Sequence, residues 1–187
     1  IPGSEDIAAW VDTATELSTA SLQRELQKTG SLALRKLQDM GCSVSMTEDS
    51  VTVSRDGDLI PVDIQTLPHP GFPTDLQAQF MVLDAAAKGT SIITENVFEN
   101  RFMFASELVR MGADIRIESH HAMIHGVKGF SGAQVTSPDL RGGAALVVAG
   151  LIADGITEVS AIHHIKRGYE QFVEKLQALG ATVEHAT

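Results

Sequence analysis

Apolar residues recur along this chain in two alternating rhythms. LALRKLQDMG, FASELVRMG and FVEKLQALG each place leucine, methionine or phenylalanine at helical spacing, and each closes on a glycine: Gly41, Gly112 and Gly180. A glycine just past a helix suits the left-handed position that ends it. After each glycine the pattern switches to alternation (CSVSM, ADIRIE, ATVEHA), which predicts a half-buried strand. In the first two cases a polar turn, TEDS or SHH, leads to a second strand. The glycines recur about every 70 residues, a period longer than those of common solenoids.

A second kind of helix is predicted within PTDLQAQFMVLDAAAKG and within SPDLRGGAALVVAGLIADG. Both are apolar nearly all round, so both belong in the interior. Each is followed by a β-rich stretch, SIITENV or ITEVSAI. The order helix, strand, helix, strand, strand predicts an α/β fold of packed layers. It divides the chain into units of approximately residues 1–60, 61–128 and 129–187 within a single globular domain. The first unit is divergent, since only IAAWVDTATEL can supply its buried helix. RDGDL at 55–59 reads as a surface turn.

Composition narrows the function. The 187 residues suit one domain or two small ones. A net charge of -10 argues against nonspecific binding to nucleic acid or to an anionic membrane. No apolar run is long enough for a membrane span, and the N-terminus has no signal-peptide pattern. The first residue is Ile1, so a piece excised from a longer protein is expected. The single cysteine, Cys42, fits a reducing cytosol and reads as a small packed residue. His120-His121 and His163-His164 lack metal-ligand spacing, and there is neither a P-loop nor a dinucleotide fingerprint. No metal or other cofactor is therefore expected.

The candidate chemistry sits at helix starts. Asp75 and Asp139 each precede a leucine where a buried helix is predicted to begin. A carboxylate there can stabilise the helix N-terminus, or it can serve as a general base. Arg101, Arg141 and Arg167 also fall at or near inferred helix starts, where a cation is unfavourable by the dipole rule. Salt bridges to neighbours such as Glu99 or Glu170 would explain them, and so would a bound carboxylate or phosphate.

The stretches PGFPTDLQAQF, ITENVFENRFM, ELVRMGADI, PDLRGGAALVVAGLIADG and RGYE resemble the UDP-N-acetylglucosamine enolpyruvyl transferases, in order from about Leu34 to the C-terminus. The resemblance implies one domain of an inside-out barrel, built of three repeated βα units with helices inside and sheets outside. It implies transfer of the enolpyruvyl group of phosphoenolpyruvate to UDP-N-acetylglucosamine, without a cofactor, in the cytoplasm. By resemblance Asp75 is the proposed base, and Arg101, Asp139, Arg141 and Arg167 line the same cleft. By the same resemblance, Val97 matches a position that contacts the nucleotide sugar through its backbone. The family's catalytic cysteine and an N-terminal lysine belong to a second, N-terminal domain that this chain lacks, so the chain alone is expected to be inactive. Lys166 stands where the family has an aspartate, and Phe104 where it often has a histidine. The shikimate-pathway enolpyruvyl transferase and a non-catalytic binding domain of the same fold are the competing readings.

Overall fold

The computed structural model describes residues 30–47, 50–55 and 57–185. The expected helix in IAAWVDTATEL lies outside the described residues. Helix α1 (Gly30–Asp39) leads through Gly41 into the antiparallel hairpin β1 (Ser43–Met46) and β2 (Val51–Ser54). The same device recurs in α3 (Ala105–Arg110), Gly112, β5 (Asp114–Glu118) and β6 (His121–His125), with Asp114 opposite His125 and Glu118 opposite His121. Gly41 and Gly112 have φ of 92° and 99°, the left-handed conformation that only glycine takes without strain.

The buried helices are crossovers between parallel strands. Chain order runs β3 (Ile64–Gln65), a 3₁₀ turn (Thr74–Leu76), α2 (Gln77–Ala86) and β4 (Thr90–Thr94), with β3 parallel to β4. After β7 (Phe130–Ser131) the scheme repeats as β8 (Gln134–Thr136), α4 (Leu140–Leu151), β9 (Ala153–Asp154) and β10 (Glu158–Ser160). Here β8 is parallel to β10, and β7 to β9. Strands β3, β4, β6 and β5 form one four-stranded sheet in that order. Its inner face carries Ile93, Ala122 and Ile124, all fully buried.

Helices α2 and α4 form the interior. Ala78, Met81, Val82 and Ala85 of α2, and Ala145, Leu146 and Ala149 of α4, have almost no exposed surface. The double glycine of α4 admits close neighbours. A methyl group on Gly142 would lie 2.7 Å from Phe104 Cβ, and one on Gly143 would lie 2.0 Å from Ser137 Oγ. Phe104, the departure noted in the sequence, is wholly buried against this helix. No helix among the described residues is long and apolar enough to cross a membrane.

The last expected strand does not form. After α5 (His163–Lys166) and α6 (Phe172–Ala178), Gly180 takes the expected left-handed φ of 90°, yet residues 181–185 are irregular. A strand exists only by pairing, and no partner lies beside this segment among the described residues. It folds back on α6 instead: Gln177 Nε2 donates to the Val183 carbonyl at 2.6 Å. His163 and His164 lie within α5.

Candidate active site

Asp75 sits in the 3₁₀ turn that introduces α2, and its carboxylate caps nothing. It faces two arginines from distant parts of the chain. Arg101 Nη2 donates to Oδ1 at 2.7 Å, and Arg141 Nη2 donates to Oδ2 at 2.7 Å. Burial works to raise the proton affinity of Asp75. The hydrogen bonds and positive charge of Arg141 and Arg101 outweigh it, so the carboxyl sits below its ordinary range and is ionised at neutral pH.

Arg101 reaches Asp75 because the loop before α3 is tied down. Glu95, 3% exposed, takes hydrogen bonds from Thr66 Oγ1 at 2.8 Å and Thr74 Oγ1 at 2.9 Å. It also takes the backbone N–H groups of Val97 at 2.8 Å and Phe98 at 3.1 Å. A buried carboxylate is stable only when so satisfied. Strand β3, the 3₁₀ turn and the arginine loop are thereby fixed to one group. The guanidinium of Arg101 lies 5.0 Å from the centre of the Phe98 ring, within cation–π range. Its Nε is buried without a partner among the described residues.

Arg141 belongs to the first turn of α4. Asp139 is the N-cap of that helix, in extended conformation, and its Oδ1 accepts the backbone N–H of Arg141 and of Gly142, each at 2.8 Å. Arg141 Nη1 also donates to the Tyr169 hydroxyl at 3.3 Å, and its guanidinium lies 5.9 Å from that ring. Burial opposes the charge of Arg141, but the bonds to Asp75 and Tyr169 prevail and hold its pKa above the ordinary value.

Three of the expected residues thus meet directly: Asp75, Arg101 and Arg141. Asp139 orders the backbone of Arg141 through its capping bonds. Val97 spends its N–H on Glu95, and its carbonyl takes no hydrogen bond among the described residues. Arg167 does not begin a helix. It is the C-cap of α5, where the dipole favours a cation, so the dipole argument fails for it. It is exposed and has no side-chain partner among the described residues, two positions before Tyr169. Sequence reasoning missed Glu95, Phe98 and Tyr169. Glu95 lies just beyond β4, and nothing in TEN distinguishes it from a surface acid. Both aromatics were legible only as letters within NVFENR and RGYE. No group of residues suited to a metal ion occurs among the described residues.

The EPSP synthase (3-phosphoshikimate 1-carboxyvinyltransferase) family model matches residues 8–176. A UDP-N-acetylglucosamine 1-carboxyvinyltransferase 2 of Carboxydothermus hydrogenoformans is 56% identical over 156 residues, 82% of this chain. The chain belongs to the enolpyruvyl transferase family. Within that family, a UDP-N-acetylglucosamine 1-carboxyvinyltransferase of Gloeobacter violaceus is 47% identical over 182 residues, 93% of this chain. Among solved structures, the enolpyruvyl transferase NikO from Streptomyces tendae superposes with a TM-score of 0.83 over 97% of the chain at 29% identity. EPSP synthase from Acinetobacter baumannii, 18% identical over 85% of the chain, shares the fold with a TM-score of 0.55. The chain spans only 37% and 40% of the two carboxyvinyltransferases and 44% of NikO.

Proposed function

We propose that this chain supplies one side of the active site of a UDP-N-acetylglucosamine enolpyruvyl transferase. The enzyme moves the enolpyruvyl group from phosphoenolpyruvate to the sugar 3′-hydroxyl and releases phosphate, a step toward peptidoglycan precursors in the cytoplasm. The observation that carries the reading is Asp75 held between Arg101 and Arg141. Two guanidinium groups a carboxylate apart suit a donor that bears a carboxylate and a phosphate. By resemblance to the family, Val97 and Arg167 are assigned to the nucleotide sugar, and Asp139 orders the backbone of Arg141. A second, N-terminal domain contributes the remaining groups.

In the proposed reaction the sugar hydroxyl oxygen bonds to C2 of phosphoenolpyruvate, its proton passes to Asp75, and C3 gains a proton from an acid of the second domain. The conjugate base of that acid then takes a proton back from C3, the bond between C2 and the phosphate oxygen breaks, and the double bond is restored as phosphate leaves. An ionised Asp75 is in the right state to accept the proton, but two cations lower its basicity. Donor anions at Arg101 and Arg141 offset that charge, so Asp75 becomes a stronger base when the donor is in place.

Phosphate release tests the proposal. A full-length enzyme containing this chain turns over phosphoenolpyruvate with UDP-N-acetylglucosamine, while the 187-residue chain alone stays at background. Release with shikimate 3-phosphate in place of the nucleotide sugar would move the assignment to the shikimate-pathway enzyme. No release with either acceptor would favour a binding domain.

A further inference from the structure

The two guanidinium groups that flank Asp75 are not held alike. Arg101 rests on the Phe98 ring and makes a long 3.5 Å contact to the Thr74 carbonyl. Arg141 is gripped at both terminal nitrogens, Nη2 by Asp75 and Nη1 by the hydroxyl of Tyr169. Bonds at one nitrogen alone, as at Nη2 of Arg101 to Asp75 and Thr74, let a guanidinium turn about that nitrogen. A second at the other nitrogen fixes its plane. Tyr169 is itself well anchored. Its ring lies 5.1 Å from that of Phe172, which is buried in a core cluster with Ile165 and Leu176. Its N–H donates to the Ile165 carbonyl at 3.1 Å. The preceding Gly168 lies so close to α4 that an added methyl would meet Leu140 Cδ2 at 2.7 Å.

We propose that Tyr169 is a positioning residue that sets the plane of the Arg141 guanidinium, and with it the direction in which this arginine presents its donors to a carboxylate or phosphate. The hydroxyl supplies the second grip, and the ring supplies a face from which the cation cannot tip. Because Arg167 precedes Tyr169 by two residues, the same short loop carries one arginine and orients another. The placement of Arg141 stands on the geometry alone. Its consequence for anion binding rests on the reading of the arginines as anion clamps.

The test uses a full-length enzyme containing this chain, with ¹⁵N-labelled arginine, in wild type, Tyr169→Phe and Tyr169→Leu. In wild type the Nη signals of Arg141 stay separate because rotation is hindered. Tyr169→Leu is expected to average them and to leave the Arg101 signals in place. Tyr169→Phe, which keeps the ring on Phe172 and loses only the hydroxyl, is expected to fall between the two. Affinity for inorganic phosphate, and separately for pyruvate, is expected to weaken by about two- to tenfold in Tyr169→Leu, the span of a cation–π contact and one hydrogen bond. Unchanged Arg141 signals in both variants overturn the proposal. Should Tyr169→Leu fail to fold, Tyr169→Phe decides it on the same signals. Failure of wild type to bind either anion would count against the anion-clamp reading, and the nitrogen spectra would still judge Tyr169.

Discussion

Asp75 and Asp139 occupy the same local sequence setting, an aspartate and a leucine ahead of a buried helix, yet they do opposite things. Asp139 has φ of −157° and ψ of −179°, the extended conformation from which a side chain can turn back onto the N–H groups of the next turn. Asp75 lies two residues past the N-cap, inside a 3₁₀ turn, where the extended residue is Pro73. A proline side chain cannot cap, and the Asp75 carboxylate is past the point from which it could. It is left facing outward to two arginines. That shift separates a carboxylate that caps its helix from one that faces two arginines.

The largest expected effect concerns Asp75. In a full-length enzyme, Asp75→Asn keeps one acceptor oxygen but loses the charge, and kcat should fall by about 10²–10⁴-fold, the usual contribution of a general base. The melting temperature should move little. A kcat close to wild type would erase the contrast with Asp139 and make Asp75 a structural tie between Arg101 and Arg141.

Next comes Asp84, a third aspartate on the same helix as the Asp75 turn. It is fully buried, accepts the Val62 N–H at 2.9 Å, and has the buried Ser91 hydroxyl beside it. Burial pushes its pKa up to about 7 against the help of the Val62 N–H and the Ser91 hydroxyl. The folded chain then holds a proton that the unfolded chain has already lost. Stability should therefore fall as pH rises from about 4 to about 7, by up to roughly 1.4 kcal/mol per unit, and change no further on this account above that. Asp84→Asn should flatten that slope and raise the melting temperature at pH 8. A variant melting lower at pH 8 would show that the charged form is better accommodated than its burial implies.

Asp139→Ala should cost about 0.5–2 kcal/mol by removing the cap of α4, whereas Asp139→Asn, an equally good cap, should leave stability nearly unchanged. Paired melting curves read this directly. Loss of turnover in a stable Asp139→Asn enzyme would give Asp139 a chemical part and blur the comparison. The smallest effect is the acid limb of Asp75. Its depressed pKa means that its ion pairs contribute above the unfolded value and are lost as pH falls through the folded one. Asp75→Asn should remove a slight acid-side decline, small because the group is half exposed.

The sequence displayed the repeated framework well. Glycines after amphipathic helices, the two apolar helices and the hairpins were readable because each depends on local pattern and on one conformational privilege, as at Gly41 and Gly112. The strand expected after Gly180 was not, because pairing is decided by neighbours and not by alternation. Asp75 and Asp139 were visible as candidates, but the choice between cap and site rests on backbone angles that PTD and SPD do not reveal. Arg167 was expected at a helix start and lies instead at the C-cap of α5, because the residues before it, not after it, form the helix. Glu95 and Tyr169 were hidden because their roles are defined by partners roughly 30 residues away in the chain, Thr66 and Arg141.

The Glu95 knot carries a thermodynamic consequence. Because Thr66, Thr74, Val97 and Phe98 converge on one buried carboxylate, the loop bearing Arg101 is ordered before any ligand arrives. Most of the conformational entropy of that wall is surrendered during folding rather than at association. Calorimetry on an intact enzyme should then show little ordering entropy from this half. Glu95→Gln, which cannot accept on both oxygens, should return that cost to the binding step as a less favourable entropy.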